Sequence, residues 1–472
     1  MKEVITLQFG EQANYVGAHY WNLMHAAAAD AAAGGAHPQD ALAMDTLFCT
    51  DSRQTYAPRV LTFDQPGSHT QPDPVSGEVE ESDAQWNGRD VEVHRQAQRT
   101  AKQPPSSGSG SGEGEGAFRS WTDVVERRYP AQSFAAVSGV DFGNSLGQLS
   151  TFSEGRSVFE GMDARDDLLE GAFRRYAEAC DRIQGFQTIA DASGGFAGFG
   201  LAFLERLREE YPKSPLVLYN ARAEEGRGLS GLGLAARVDV AVALAAALEA
   251  GVSMSVPLFA PQSVATGGGS GGVYRGSAFL AANVAQWGWG VVAGGVGLDE
   301  LVDRATGQGL FRVAETLLAP GLDASGSTGL AELLGSGGGG GGSFTACSEA
   351  KIESLEMLAG RLFVDRGTDV GRLVRQTMPP AAAVRFEAPV PLPRTFPPIF
   401  AQHVIPKRIG GVDCVGVAGL LCSTSGSMGY LQTLHGSLAA EHSKYLKDYE
   451  REAVREFRYS LDTAIDRYSM IG

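Results

Sequence analysis

The spacing of apolar side chains predicts a strand followed by a helix at the start of the chain. In residues 2–24, Ile5, Leu7 and Phe9 alternate with their neighbours, which is typical of a buried strand. Gly10 interrupts the alternation, and side chains at helical spacing follow it: Tyr15, Val16, His19, Tyr20 and Leu23. The pattern therefore predicts a strand, a glycine turn and a helix, in that order.

A second segment of the same kind lies in the middle of the chain. The apolar run Phe186–Ile189 predicts a short strand, and Gly194, Gly195, Gly198 and Gly200 follow it closely. After these glycines, helical spacing predicts a helix with a buried stripe of Leu201, Leu204, Leu207 and Tyr211. A glycine turn that enters a helix exposes backbone N–H groups beside the positive end of the helix dipole, which suits a phosphate group. Glycines that only allow a helix to pack closely on a sheet would give the same pattern.

The remaining periodic segments continue the alternation of strands and helices. We expect further strands at 56–64, 133–141, 216–219 and 253–257, and helices at 231–250 and 428–469. Two stretches have no apolar periodicity. Residues 68–117 contain QPPSSGSGSGEGEG, which predicts a disordered insertion, and residues 335–343 are almost entirely glycine. The overall order predicts an α/β fold.

Composition restricts the classes of function. The chain has 472 residues and a formal net charge of −16, without any run rich in Lys and Arg, so direct nucleic-acid binding is disfavoured. Five cysteines without CxxC spacing indicate reduced thiols and no zinc site. The most apolar late run, Trp287–Gly297, is shorter than the roughly 20 residues that span a bilayer. We therefore expect any membrane association to be peripheral.

The middle segment also carries a family resemblance. Its order of Cys180, Asp181, a strand with Gln184-Gly185-Phe186-Gln187, the glycine-rich loop and the closing Arg208-Glu209-Glu210-Tyr211-Pro212 resembles the phosphate-loop segment of tubulins. Gly194–Gly200 is a degenerate form of the tubulin GGGTGSG signature, in which Phe196 and Phe199 replace small residues. The loop is more similar to that of the Misato family, which are tubulin-like proteins of mitochondrial distribution and inheritance.

The resemblance extends to the start of the chain. In the loop from Gly10 to Gly17, the residues Gly10, Asn14 and Gly17 match the tubulin phosphate loop. Glu11 stands where the family has glutamine, so Gln12 is the candidate for that role. The segment from Tyr56 to Asp64 resembles the tubulin strand that ends near magnesium, which makes Asp64 a weak metal candidate. An Asp at a strand end that only caps the next turn would look the same.

The resemblance implies a tubulin/FtsZ-like fold with a Rossmann-like nucleotide-domain scaffold, a central helix, a second α/β domain and a helical C-terminus. We divide the chain into a tubulin-like N-terminal segment (1–67), the disordered insertion (68–117), a segment with the glycine-rich loop and the central helix (118–251), a second α/β domain with flexible glycine- and proline-rich loops (252–427), and a helical region (428–472). The central helix is assigned to 231–250, and the strand at 253–257 to the opening of the second domain.

The resemblance also implies a cofactor site. If GTP or GDP binds, degenerate phosphate loops would hold it through Gly10, Gln12, Asn14, Gly194, Gly195, Gly198 and Gly200. Tubulins complete GTP hydrolysis with an acidic G-x-x-N-x-D loop, and no such motif occurs between Val252 and Leu298. We therefore expect no catalytic residues and no enzyme activity.

Two classes of function are consistent with these features. The first, which the Misato resemblance implies, is a non-enzymatic factor for mitochondrial distribution, morphology or fusion, and mitochondrial DNA inheritance. Such a factor would lie in the cytoplasm and on the mitochondrial outer membrane, with outer-membrane or cytoskeletal proteins as partners. The alternative is a GTP-binding tubulin-like GTPase, or a cytoskeletal filament or spindle protein.

Overall fold

The computed structural model describes most of the two ends and the middle of the chain. The described residues are 2–32, 43–50, 56–65, 120–127, 129–137, 149–161, 168–226, 228–261, 264, 269–292, 297–320, 344–345, 360–366, 383–386, 389–400, 407–409, 412–423 and 425–471. Two predicted segments lie outside them: the insertion at 68–117 and the glycine run at 335–343.

The first half of the chain builds a six-stranded parallel sheet. Its strands are β1 (Glu3–Phe9), β4 (Val60–Asp64), β5 (Phe134–Ala136), β6 (Ile183–Asp191), β7 (Leu216–Gly226) and β8 (Met254–Pro261), in the order β5-β4-β1-β6-β7-β8. A separate antiparallel pair consists of β2 (Phe48–Thr50) and β3 (Tyr56–Pro58). The strands predicted from the two strand–glycine–helix segments are confirmed as β1 and β6, and they are direct neighbours.

This strand order has a topological switch point. From β1 the chain proceeds outward through β4 to β5, then returns to the other side of β1 with β6 and continues to β7 and β8. In open parallel sheets, ligands bind at the carboxyl ends of the two strands where the order reverses. The fold therefore directs attention to the ends of β1 and β6.

Helices cover both faces of this sheet. They are α1 (Glu11–Ala32), α2 (Phe152–Gly161), α3 (Arg174–Glu178), α4 (Gly195–Glu210), α5 (Leu234–Glu249), α6 (Gly269–Val292), α7 (Leu298–Thr306), α8 (Ser425–Ser437) and α9 (Arg451–Tyr468). Helices α1 and α6 share one hydrophobic core, and α2, α4, α5, α8 and α9 share another. Alternate residues of β1 point to opposite cores, since Val4 packs with the first and Ile5 with the second. The sheet is thus covered on both sides, as the α/β prediction requires.

The second half of the chain forms a smaller mixed sheet, which confirms the expected second α/β unit. Its order is β10-β9-β16-β11-β12, built from β9 (Glu315–Pro320), β10 (Phe344–Thr345), β11 (Gly360–Arg366), β12 (Ala383–Phe386) and β16 (Val417–Ser423). A three-stranded sheet of β13 (Val390–Pro391), β14 (Lys407–Ile409) and β15 (Val412–Val415) lies beside α1.

Two expectations about the junction of these units are wrong. The strand predicted at 253–257 is β8, which pairs with β7 in the first sheet and does not open the second domain. The helix predicted at 231–250 is α5, and it connects β7 to β8 within that sheet. A crossover between neighbouring strands cannot be the helix that joins two domains. That position belongs to α6, which leaves the last strand of the first sheet and packs along α1.

The helical C-terminus is confirmed by α8 and α9, which pack on each other and on α5. Helix α9 places Leu461 and Tyr468 in the core while its other face stays in solvent. Among the helices that the structure describes, none is long and apolar enough to cross a bilayer.

Candidate functional site

The carboxyl ends of β1 and β6 lie side by side at the switch point, and each strand is followed there by a helix. After β1, Gly10 has a backbone φ of +98°, which only glycine adopts without strain, and α1 begins at the next residue. After β6, Ala192–Gly194 form a short turn, and α4 begins at Gly195. Both turns end with a helix N-terminus directed at the crevice, so the geometry of two anion-binding loops is present.

A carboxylate of the protein itself lies at the first of these positions. Asp191, the last residue of β6, accepts a hydrogen bond of 2.7 Å at Oδ1 from the backbone N–H of Ala13. A Cβ atom added to Gly10 would lie 2.4 Å from Asp191 Oδ2, so the side chain fills the space over the glycine. The N-terminal N–H groups of a helix attract an anion, and here Asp191 is that anion.

The second position also has an internal carboxylate. Gly194, with a backbone φ of +84°, precedes α4, and its backbone lies close enough to Asp239 on α5 to influence the pKa of that carboxyl group. Asp239 is half-buried. Burial raises its pKa to about 6, and the charges of Glu154 and Asp448 contribute, while the nearby backbone of Gly194 acts in the opposite direction.

The glycines of the middle loop serve helix packing. The sequence predicted a helix only after Gly200, but α4 begins at Gly195, so three of the glycines lie inside its first turns. A Cβ atom at Gly195 would lie 2.2 Å from Leu149 Cβ, and one at Gly198 would lie 1.9 Å from the carbonyl oxygen of Phe152. Helix α2 and the residues before it therefore cover the start of α4. The predicted alternative, close packing of the helix on a sheet, does not describe Gly195 and Gly198, because both contact α2 or the residues before it.

The aromatic residues in the loop point into the core. Gly200 lies against the ring of Phe9, where a Cβ atom would approach to 2.7 Å. Phe199 packs against Phe9, Phe63 and Phe159, and Phe196 contacts Phe199. Both loop phenylalanines are buried. They stabilise the base of the loop, so they do not occupy the crevice above it.

The remaining predicted residues of the first loop are bound to the scaffold. Gln12 Oε1 accepts a hydrogen bond of 2.8 Å from the N–H of Ala223 on β7. Asn14 is buried, and its amide donates to the carbonyl of Phe63 and to Asp64 Oδ2. Both side chains thus hold α1 to neighbouring strands.

Asp64, the metal candidate, is likewise engaged. It is 1 % exposed and accepts hydrogen bonds from the indole N–H of Trp121 at 2.9 Å and from its neighbour Gln65 at 2.8 Å, in addition to Asn14. Within the described ranges, no group of three or more His, Cys, Asp or Glu side chains could hold a metal ion. The bonds from Asn14 and Trp121 join Asp64 to α1 and to the segment that contains Trp121. The turn that Asp64 was predicted to cap lies after Gln65, outside the described residues.

The charges around the crevice disfavour phosphate. A carboxylate about 4 Å from a phosphate near a protein surface costs about 4 kcal/mol for each pair of unit charges. Asp191 binds an N–H group at the start of α1, Asp239 lies near Gly194 at the start of α4, and Glu11 is exposed in the first turn of α1. Arg222 is a nearby cation, and its Nη1 donates to Ser193 Oγ at 3.4 Å. A nucleotide would have to displace Asp191 from the N–H group of Ala13 and would lie near the charge of Asp239.

Reassigning the central helix changes where an acidic hydrolytic loop would lie. If α6 is that helix, the loop falls immediately before α7, which begins at Leu298 with Asp299 and Glu300 in its first turn. Asp299 is exposed, and its Oδ1 lies 2.3 Å from where a Cβ atom of Gly297 would be. The asparagine of the tubulin motif is replaced by Gly297. The range Val252–Leu298, which contains no acidic loop motif, therefore ends one residue before an acid.

Sequence reasoning missed Asp191, the carboxylate that binds the start of α1. Asp191 stands directly between a predicted strand and a glycine turn, and that position was a signal that an internal carboxylate could reach a helix N-terminus. The proximity of Asp239 to Gly194 had no comparable signal, because the two residues are 45 positions apart in the sequence.

Comparison with known families matches both parts of the first sheet. Residues 2–109 match a family described as the Misato Segment II tubulin-like domain, and residues 114–285 match one described as a tubulin domain. Together these matches include both strand–glycine–helix segments.

Individual relatives carry the same names. Protein DML1 of Phaeosphaeria nodorum is 28% identical over 236 residues, which are 45% of this chain and 43% of that protein. Protein misato homolog 1 of Mus musculus is 29% identical over 238 residues, 44% of this chain and 42% of that protein. The matched part is thus less than half the length of these relatives. The two family matches and these relatives agree on one assignment, and the chain belongs to the Misato family of tubulin-like proteins.

Proposed function

We propose that this protein acts without nucleotide turnover, as a tubulin-like factor for mitochondrial distribution, morphology or fusion, and mitochondrial DNA inheritance. The mitochondrial part of the proposal rests on the resemblance to the Misato family. Its partners would be mitochondrial outer-membrane or cytoskeletal proteins, and it would associate with the outer membrane peripherally from the cytoplasm.

One observation supports the proposed absence of nucleotide turnover. The hydrogen bond from Ala13 N–H to Asp191 places a carboxylate where a nucleotide phosphate would bind at the start of α1. Asp239 lies near Gly194 at the start of α4 and adds a second carboxylate to the crevice. The scaffold has the shape of a nucleotide domain, while one of its anion positions is occupied by a carboxylate of the chain itself.

Calorimetry with GTP and GDP on the purified chain tests this directly. We expect wild type to show no binding tighter than a Kd of about 1 mM. Asp191→Ala and Asp239→Asn should each be measured beside Asp466→Ala, which removes an exposed carboxylate from α9 and serves as the control. Tight GTP binding by wild type would contradict the proposal.

A GTP-dependent filament protein is the second candidate, and two features favour it. Gly10 and Gly194 still end the strands at the switch point, and Asp299 lies just after the central helix. Sedimentation with and without GTP separates the candidates. We expect no GTP-dependent pellet; a pellet that Asp299→Asn stabilises against disassembly would establish the filament function instead.

The mitochondrial role needs a separate measurement. Cells depleted of the protein should show a changed distribution of mitochondria, restored equally by wild type and by Asp299→Asn. A tagged protein should sediment with mitochondria and be released by high salt or carbonate, because peripheral contacts are broken by such washes. Unchanged mitochondria after depletion would contradict the role without bearing on nucleotide binding.

A further inference from the structure

A cavity lies far from the switch point, between the carboxyl end of α5 and one face of α9. Its volume is about 160 Å³. Its lining comes from α5, the segment before β9 and α9, and includes Leu248, Leu310, Arg312, Tyr459, Arg467 and Tyr468. A dry cavity of about 150 Å³ accommodates benzene, so this one fits a single medium-sized apolar side chain.

The rim of the cavity exposes large apolar side chains. Tyr459 is 73% exposed and Leu310 is 44% exposed. These are two of the five large hydrophobic side chains that stand exposed in the described part of the chain. Such a concentration around one depression marks an interaction surface.

The same site concentrates positive charge in an acidic protein. Arg312 and Arg467 line the cavity, and Arg208 is close enough to lower the pKa of Arg312 together with burial and Arg467. Some hydrogen-bond donors of Arg208 and Arg312 are already occupied, because both side chains donate to backbone carbonyls near the end of α5. Arg312 Nη1 makes none of these bonds. Within the described residues, Arg467 forms no ion pair.

Arginine and tyrosine are the residues that most often anchor protein interfaces, and a central pocket that receives a partner's side chain is typical of them. Because the net charge of −16 repels an acidic partner from the protein as a whole, the pair of guanidinium groups at this cavity offers such a partner a local site of complementary charge. We propose that this cavity is a docking site for an acidic peptide segment of a partner protein, whose apolar anchor residue enters the cavity while a flanking carboxylate pairs with Arg467 and Arg312 Nη1. This site is independent of nucleotide binding and of the switch-point crevice.

Fluorescence anisotropy with a labelled peptide tests the docking site. The probe is acetyl-Asp-Glu-Phe-Glu-Asp-amide, measured beside one peptide with Ala in place of Phe and one with Asn and Gln in place of the acids. We expect the acidic peptide with Phe to bind, and each altered peptide to bind about tenfold more weakly. Raised salt should weaken binding, because part of the attraction is between charges.

Variants of the protein locate the binding. Arg467→Glu and Tyr459→Ala should each raise the Kd about tenfold, since the first removes a charge partner and the second removes an exposed ring. Arg455→Glu is the matched control, an exposed arginine on α9 that does not line the cavity. Thermal unfolding of each variant verifies the fold. No binding up to about 1 mM peptide, or equal loss in Arg455→Glu, overturns the proposal. Self-association of wild type that Arg467→Glu abolishes also overturns it, because the occupant would then be a second copy.

Discussion

A Cβ atom added to Gly198 would lie 1.9 Å from the carbonyl oxygen of Phe152. The contact joins the second turn of α4 to the start of α2, and Gly155 meets Gly195 in the same way, with a Cβ-to-carbonyl-oxygen distance of 1.6 Å. In each case the obstacle is backbone, which cannot rotate away. Glycine at these positions therefore allows α2 and α4 to pack in close contact, and a larger side chain at either position would force the two helices apart.

Gly198→Ala should destabilise the protein whether or not nucleotide is present. We expect a loss of about 1–3 kcal/mol in the free energy of unfolding, which is typical of overpacking in a core. Chemical denaturation measures it. Gly429→Ala in α8 is the control, since nothing lies within 4 Å of its added Cβ, and it should be neutral or slightly stabilising. Equal behaviour of the two variants would contradict the helix contact.

This result affects how nucleotide experiments should be interpreted. A Gly198→Asp variant that loses GTP binding would not identify a phosphate contact, because the same change separates α2 from α4. Asp191 and Asp239 are better positions for such experiments, since their side chains face the helix N-termini directly.

Removing Asp191 should expose the start of α1 to external anions. Asp191→Ala leaves the Ala13 N–H without its partner, and we expect a loss of about 1 kcal/mol, similar to other helix caps. Phosphate should then raise the melting temperature of Asp191→Ala more than that of wild type, at equal ionic strength in chloride. An identical response of the two proteins would show that the N-terminus is closed to anions for another reason.

Asp239 should make stability depend on pH. Burial raises its pKa from 3.8 to about 6, so the folded protein binds a proton more tightly than the unfolded chain. The cost of ionising it is fully present above about pH 6 and is absent below the unfolded pKa near 4. The contribution of Asp239 to the free energy of unfolding therefore falls as the pH rises from about 4 to about 6.

Asp239→Asn removes that cost and keeps a side chain of similar size. At pH 8 we expect it to be more stable than wild type by up to about 3 kcal/mol, on a shift of about two pKa units. At pH 4 the difference should largely disappear. Urea unfolding at several pH values measures it, with Asp466→Asn on the surface of α9 as the control. A constant difference across pH would show that the ionisation of Asp239 is not its cause.

Local patterns in the sequence were sufficient for much of this fold. The strand–glycine–helix segments became β1–α1 and β6–α4, because apolar alternation and helical spacing report on burial along one stretch of chain. The central helix was misassigned for the opposite reason. Only the pairing of β8 with β7 shows that α5 is a crossover, and strand pairing is not encoded in the periodicity of one segment.

The candidate site shows the same division between local features, which the sequence predicts, and long-range contacts, which it does not. The structure has positive-φ glycines between strand and helix at Gly10 and Gly194, where the sequence predicted glycine turns, since such a glycine is a local signal. It could not show that Leu149 and Phe152 cover the second loop, or that a carboxylate from α5 reaches Gly194. These contacts join residues that are distant in the chain and follow from tertiary packing.

The carboxyl end of α5 is held by an arginine whose loss should be costly. Arg312 donates from Nε to the carbonyl of Val252 at 2.9 Å, and from Nη2 to the carbonyls of Leu248 and Val252 at 2.8 and 2.6 Å. Each charge-assisted bond of this kind contributes about 1.5–3 kcal/mol, and the exposed negative end of the helix dipole adds to it. We expect Arg312→Ala to lose about 3 kcal/mol in total, because partly exposed carbonyls regain water.

Arg312→Lys tests whether geometry or charge is responsible. A lysine keeps the charge but cannot present two nitrogen donors in a fixed plane, so it should recover less than half of the loss. Arg304→Ala is the control, because its pair with Glu300 on the surface of α7 is worth at most about 0.5 kcal/mol. Denaturant unfolding of the three variants distinguishes the cases. Full recovery by lysine would mean that charge alone holds α5, and equal losses in Arg304→Ala would mean that the bonds to Leu248 and Val252 contribute nothing specific.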